Sequence, residues 1–432
     1  MASVDPNETS NVEVQNKNDI SKSEVDLETN NDKNPNSSAL ADIEKVIATT
    51  DLFAYDPAKY SFCKDKSIVN ILKIGESGAL EFQAEIRNGV YGITIWPEST
   101  DEDYEKLLDE MDVVIPESTE WSNRRPEIGE LVFGKRLDGD WIRGYIISVL
   151  PHLKLAMIDE AKLVLVSNLA SCNSPLSDMY AFSGVCELSD ATHKFTEGDG
   201  AQFKVIGRTV NGEPNEFDIL IVNKDFELKA TVKPWIPMPE QLGVPCGEVP
   251  NETEVIVTGY RNHIFLYVRP VDAIGTARYN FIMETVAKVA QNSPFIENVD
   301  IARSAIALAP DGNYYRGYIT RVEKDKVQMM YHDLGRREYV DRKTLKVYPE
   351  FLKKLGYSIS KVYLRDVPKN IPPFMPIVEI LDNLVESQVH LVCSFDGIPA
   401  IEGVYLKHPD GETVNRMICK TLEPPVPKGA SE

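Results

Sequence analysis

Apolar and polar positions alternate with period two through much of this chain, and turn residues cut the alternation into short runs. That pattern predicts strands. In the first half the runs are 67–75, 79–88, 90–98, 129–135, 153–161, 163–169, 201–208, 217–223 and 226–232. In the second they are 252–262, 263–271, 303–309, 327–335, 387–395 and 402–411. The period becomes helical at matching places. Ser99 and Glu102 have capping-box spacing, and Tyr104, Leu107, Leu108 and Met111 stripe the segment that follows. Later, Tyr279, Ile282, Val286 and Val289 recur at helical spacing, and 373–386 reads as a further short helix. The predicted fold class is α+β, mainly β.

The two halves repeat. DGDWIRGYI, from Asp138 to Ile146, matches DGNYYRGYI, from Asp311 to Ile319, at six of nine positions and an offset of 173 residues. Each copy follows an apolar strand and precedes a run that reaches an aspartate, Asp159 or Asp333. Asp-Gly between alternating runs marks a hairpin turn. A repeat this long is a duplicated domain, not a solenoid unit. Each half therefore reads as a small β-barrel inserted in a second β-rich barrel that carries a helix. Pro234, Pro237, Pro239, Pro245 and Pro250 fall within 17 residues and mark a semi-rigid linker at 238–250. The predicted units are 62–237, with a barrel core at 126–172, and 251–424, with a barrel core at 300–348; 425–432 is a tail.

Composition alters the picture at the start of the chain. Residues 1–40 hold no aromatic residue, eight asparagines, and eight acids against three lysines. Such a segment buries too little apolar surface to offset its ordering entropy and is predicted to be disordered. The apolar stretch that follows, 41–61, is a candidate partner-binding segment. Over all 432 residues, 46 Lys and Arg stand against 67 Asp and Glu, a formal charge of -21. A chain this acidic repels polyphosphate at long range. Nothing approaches the roughly 18 consecutive apolar residues of a membrane span, and no secretory signal is visible at the start. Cys63, Cys172, Cys186, Cys246, Cys393 and Cys419 are scattered, with no CxxC pair and no adjoining His. Reduced thiols in the cytosol or nucleus are expected, with no metal site and no cofactor.

The pattern G-x-x-V/A, then D-G-x-W/Y-x-R-A/G, then an apolar strand ending D-Y-G resembles the Tudor domain. The flanking strands and helix resemble the staphylococcal-nuclease-like part of the extended Tudor domain. The second copy fits better, through DGNYYRGYI and YHDLG; the first has Glu160 and Ala161 where the family has Tyr-Gly. The resemblance implies that the motif Arg and Asp brace each barrel against its flank, Arg143 with Asp159 and Arg316 with Asp333. It also implies an aromatic cage for methylated arginine or lysine, in which each ring attracts the cation by roughly 0.5–2 kcal/mol. The cage positions fall on Leu308, Tyr315, Tyr331 and Leu334, with Arg336 at the polar position. In the first copy they fall on Lys135, Ile142, Met157 and Glu160, with Lys162. Two rings of four remain in the second copy and none in the first. The second site is expected to be an apolar cleft with two phenol hydroxyls at its rim, suited to an unmodified Leu, Ile or Phe side chain.

Catalysis is not expected. A nuclease of the flanking fold needs clustered carboxylates and transition-state arginines, and neither half has that constellation. His152, His193, His263, His332, His390 and His408 stand apart, and no GxSxG, HExxH or phosphate loop occurs. Nucleic-acid binding is a rival, because residues 336–365 hold nine basic residues against three acids, interleaved with Tyr339, Tyr348, Phe351, Tyr357 and Tyr363. Arg337, Arg342, Lys343, Lys353 and Lys354 are the candidate RNA contacts. What the resemblance implies is a non-catalytic scaffold for a protein complex of a small-RNA pathway, in the cytoplasm or in perinuclear germ granules. An RNA-dependent RNA polymerase, a Dicer or helicase complex, or an Argonaute or Piwi protein would be the partner. Two alternatives stay open: a methyl-arginine reader through the second copy, and single-stranded RNA binding through the basic stretch.

Overall fold

Pro35 to Thr49 wind into helix α1, at the start of the residues that the computed structural model describes: 35–49, 55–117, 121, 124–172, 175–210, 212–242, 249–372 and 374–423. In the first half the alternating runs close into a six-stranded barrel. It begins with β1 (Ser77–Arg87) and β2 (Val90–Pro97), followed by helix α2 (Asp101–Glu117). The chain then leaves to build a closed four-stranded barrel from β3 (Leu131–Arg136), β4 (Trp141–Ser148), β5 (Lys154–Met157) and β6 (Lys162–Ser171). It returns through β7 (Ser183–Leu188), β8 (Gly200–Arg208), β9 (Phe217–Asn223) and β10 (Phe226–Pro234), giving the order β1-β2-β7-β10-β9-β8. Every second residue of these strands points inward, and Phe82, Ile93, Phe203, Ile219 and Val232 fill the larger barrel.

A short helix α3 (Pro239–Leu242) leads to the second half, which repeats the plan with changes. β11 (Thr253–Tyr260) and β12 (Phe265–Pro270) pair, and the long helix α4 (Ala273–Asn292) follows, its first turn capped by Asp272. The inserted unit is a five-stranded sheet of β13 (Ser304–Leu308), β14 (Tyr314–Val322), β15 (Lys326–Tyr331), β16 (Arg337–Asp341) and β17 (Lys346–Val347). Then come β18 (Ser360–Tyr363), α5 (Met375–Ser387), β19 (Leu391–Ser394), α6 (Pro399–Glu402), β20 (Tyr405–Lys407) and α7 (Val414–Leu422). The outer sheet runs β18-β12-β11-β19-β20, and helices α5 and α7 pack on its core in place of barrel closure. The fold is mainly β with helices, and each half inserts a small β unit between the second and third strands of a larger one.

Several local expectations are corrected. Residues 67–75 do not form a strand: Ile68–Ile71 make a 3-10 turn, capped by the Ser67 hydroxyl and buried under the first barrel. The capping box is absent, because Ser99 donates its hydroxyl to Glu76. On α2, Leu107 is buried while Leu108 faces solvent. The linker is shorter than predicted: Met238 and Leu242 pack on the first half, and Gln241 accepts the Trp235 indole N–H at 3.0 Å.

The largest correction concerns the start. Helix α1 begins inside the segment expected to be disordered, while residues 1–34 lie outside the described residues. Leu40, Ile43 and Ile47 line one helical face and pack with Ile282, Val286 and Val289 of α4 and with Leu352 and Leu355. Glu44 reaches Lys354 at 3.6 Å. Further on, Tyr55 donates its hydroxyl to Pro237 O at 2.7 Å, and Tyr60 and Cys63 pack beside Trp235. Ile43, Ile47, Tyr55 and Tyr60 of the stretch 41–61, offered as a partner-binding segment, are thus taken up by the chain's own two halves, while Val46 stays exposed. The halves also meet directly: Leu150 of the four-stranded barrel packs with Val255 and Val257, and Ile398 joins that barrel's own cluster.

Candidate functional site

Strand alternation delivers each motif arginine to the outer face of its small unit, where the chain returning to the larger unit lies. Arg316, on β14, is 1 % exposed. Its Nε donates to Asp333 Oδ2 at 2.7 Å and its Nη2 to Oδ1 at 3.0 Å. The remaining donors go to the carbonyls of Leu352 (2.7 Å), Leu355 (3.1 Å) and Gly356. Asp333 also accepts the backbone N–H of Ser358 at 3.2 Å. Arg143 is held likewise by Asp159, at 2.8 and 2.9 Å, and by the carbonyls of Leu176, Met179 and Tyr180. Burial alone would lower the pKa of both guanidiniums; the paired carboxylate outweighs it and raises them.

The turn after each aspartate rests on a glycine of the flanking sheet. A Cβ on Gly259 would stand 2.7 Å from the carbonyl oxygen of Gly335, and one on Gly335 would stand 2.1 Å from Tyr267 Cγ. Gly335 has φ +66°; at the matching place in the first copy Ala161 holds φ +53°, and its Cβ lies 3.0 Å from where a Cβ on Gly92 would sit. The glycine missing from the first motif therefore has not changed the backbone there.

The cage positions are brought together only in part, and they do not form an open cleft. Tyr315 and Tyr331 lie with ring centroids 5.1 Å apart at 44°. Tyr331 is fully buried and its hydroxyl has no hydrogen-bond partner among the described residues, so it does not stand at a rim as expected. The Tyr315 hydroxyl donates to Asp311 Oδ2 at 2.8 Å. Burial, then Asp311, push the Tyr315 phenol up; burial does the same to Tyr331. Leu334 is buried with them, Leu308 is half-buried, and Met283 of α4 packs against the cluster. Arg336 turns to Glu338, Nε to Oε1 2.8 Å. The physical reason for closure is the alternation itself: residues 315 and 331 fall on the inward face of β14 and β15, and helix α4 covers them.

In the first copy, Ile142 and Met157 are core residues of the four-stranded barrel, Lys135 lies over Trp141 at 5.8 Å, and Glu160 pairs with Lys162 at 2.8 Å. Sequence reasoning passed over Asp311, which anchors Tyr315, although its Asp-Gly turn was in view. It read Tyr279, which stacks under Arg269 at 3.9 Å, only as part of a helical stripe, and His332 only as an isolated histidine. His332 is enclosed by the rings of Tyr318, Tyr348 and Tyr357, and burial beside Arg316 lowers its pKa to about 4. Of the candidate RNA contacts, Lys353 pairs with Glu350 at 2.6 Å and Lys354 with Glu44; Arg337 is exposed on β16, and Arg342 and Lys343 lie in the turn after it. Among the described residues no group of three or more His, Cys, Asp and Glu is placed to hold a metal ion, and no helix is long and apolar enough to cross a membrane.

Residues 248–366, in the second half, match the family model of the Tudor domain. No curated protein matches the chain. Among solved structures it is similar to extended Tudor domain TD3 from mouse TDRD1 in complex with a MILI peptide containing dimethylarginine. That likeness is 16% identity over 41% of this chain and 96% of that one, TM-score 0.34. It is also similar to the extended Tudor domain from BmPAPI, with 18% identity over 39% of this chain and 97% of that one, TM-score 0.33. Extended-Tudor 10-11 of Drosophila melanogaster shows 12% identity over 79% of this chain and 98% of that one, TM-score 0.31.

Proposed function

We propose that this chain is a non-catalytic adaptor made of two tandem extended Tudor units, and that it assembles protein partners of a small-RNA pathway in the cytoplasm or in perinuclear germ granules. The observation that carries the reading is the contrast between the two kinds of family residue. Both Arg–Asp braces are intact, with both arginines buried, so both units keep their architecture. The cage positions hold no ring in the first unit, where Ile142 and Met157 are core and Lys135 and Glu160 are half-buried, and in the second they are closed by two buried, mutually packed tyrosines. A site that keeps its frame and loses its cation pocket suits partner contacts that need no methyl group. Complexes of similar solved structures support the partner class: the mouse TDRD1 domain is in complex with a MILI peptide containing dimethylarginine, and Tudor is in complex with methylated Aubergine. An Argonaute or Piwi protein, or an RNA-dependent RNA polymerase, Dicer or helicase complex, is the corresponding partner here.

Calorimetry of the full chain with symmetric and asymmetric dimethylarginine peptides, each beside its unmodified counterpart, tests the reading. The expected result is no difference between members of a pair. Micromolar binding that requires the methyl groups and is lost in Tyr315→Ala would overturn it in favour of a methyl-arginine reader.

A further inference from the structure

We propose that the outer face of β12 and β18, extended by Arg261 and Arg337, is a binding surface for single-stranded RNA. The inference stands apart from the adaptor reading and uses none of the cage positions.

The surface is made by strand register. Phe265 lies opposite Tyr363 and Tyr267 opposite Lys361. These four side chains share the face that points away from Leu266, Val268, Val362 and Leu364, all of which are in the core. The rings of Phe265 and Tyr363 are 5.5 Å apart at 40°. The Lys361 ammonium lies 4.3 Å from the Phe265 ring, and that of Lys369 lies 5.2 Å from the Tyr363 ring. Arg261 is exposed at the end of the β11–β12 hairpin, and Arg337 is exposed where β16 passes the Gly335 turn that rests on Tyr267.

The charges are what point to a ligand. Among the described residues, no carboxylate comes within ion-pair distance of Arg261, Arg337, Lys361 or Lys369, although the whole chain carries -21. The charged neighbour of Lys361 is another cation, Arg261. Lys361 is lowered by burial and by Arg261, and exposed His152, across the junction from the four-stranded barrel, is lowered by burial, Lys361 and Lys154. Gathering cations without counter-charge costs stability unless an anion spans them. Aromatic rings set among those cations narrow the anion. A phosphate backbone uses the cations, and unstacked bases use the ring faces. An acidic peptide has no use for the rings, and a methylated-arginine peptide is repelled. The basic run of 336–365 supplies Arg337, Lys361 and Tyr363 to this surface, but of its five candidate contacts only Arg337 belongs to it, while Lys353 and Lys354 pair with Glu350 and Glu44.

The test is fluorescence anisotropy of the full chain with labelled oligouridine of about 12 nucleotides, titrated at several salt concentrations. Binding is expected at low salt, weakening linearly in log–log form as salt rises. Arg261→Glu with Lys361→Glu should lower affinity at least about tenfold, and Lys353→Glu with Lys354→Glu should leave it within about twofold. Phe265→Ala should weaken RNA binding as well. If circular dichroism shows that the first pair disturbs the fold, Arg337→Glu with Lys369→Glu, both exposed, takes its place with the same expectation. No binding of oligouridine at low salt overturns the proposal, as does an equal loss in the Lys353/Lys354 variant. Undiminished binding in Phe265→Ala, together with full displacement by polyglutamate, would assign the surface to an acidic peptide instead.

Discussion

Replacing Arg316 by Met removes a side chain that five acceptors depend on. Two are the oxygens of Asp333, whose side chain is 3 % exposed, and three are the carbonyls of Leu352, Leu355 and Gly356. Methionine fills most of the volume, so the loss is electrostatic and polar more than steric. Among the described residues the carboxylate keeps only Ser358 as a partner. Breaking a buried ion pair by removing one member costs about 3–5 kcal/mol. The orphaned carbonyls add to this where water cannot reach them. A loss of about 4 kcal/mol, at a urea slope of roughly 2 kcal/mol/M, moves the midpoint of the second half down by about 2 M. The tryptophans make the halves separable: Trp96, Trp121, Trp141 and Trp235 all lie in the first. Tryptophan fluorescence should therefore report a nearly unchanged transition while far-ultraviolet circular dichroism shows an earlier one. Arg316→Lys keeps the charge but not the planar fork and should recover less than half of the loss. In the double variant with Asp333→Asn the effects should fall short of additive by at least ~1.5 kcal/mol. The same change at Arg143 should cost less, because Asp159 is 16 % exposed and water can solvate it. A loss below about 1 kcal/mol for Arg316→Met, or additivity within about 0.5 kcal/mol, would refute the argument.

Ile47→Asp puts a charge into the seam between α1 and α4, where Ile47 is 7 % exposed. It should release α1 and cost about 2–3 kcal/mol, read as faster hydrogen exchange along α4; unchanged exchange there would show that α1 contributes nothing. For His332, the folded pKa near 4 lies below its ordinary 6.5, so the unfolded chain binds the proton first as pH falls. Stability should be level above about pH 6.5 and decline from there to about pH 4, by at most about 3 kcal/mol. His332→Gln should flatten that window in urea titrations at successive pH values, and an equal slope in the variant would assign the decline to other groups.

What the sequence determined by itself was whatever depends on near neighbours. Period-two alternation is a property of one strand, so β8, β9, β10, β13 and β15 were legible, and the Asp-Gly turns fixed the hairpins between motif strands. The helical stripe of Ile282, Val286 and Val289 likewise appears as the buried face of α4. Even the partners of Arg143 and Arg316 were within reach, though through a family resemblance and not through periodicity. Where the alternation is broken the reading failed: Ile68-Val69 and Ile71-Leu72 are adjacent apolar pairs, and Ile68–Ile71 folds as a 3-10 turn, since a serine cap and burial on the barrel outweigh strand propensity. Tertiary structure decided which faces meet. Tyr315 and Tyr331 carry the same rings whether they open to solvent or close on one another, and only the seat of α4 over the sheet chooses closure. Glu44 neutralises Lys354 across some three hundred residues of chain. Phe265 and Tyr363 are neighbours through the pairing of β12 with β18, although a whole small unit is inserted between those strands. Charge and ring stacking act through space, so the surface of β12 and β18 came into view only once the strands were paired.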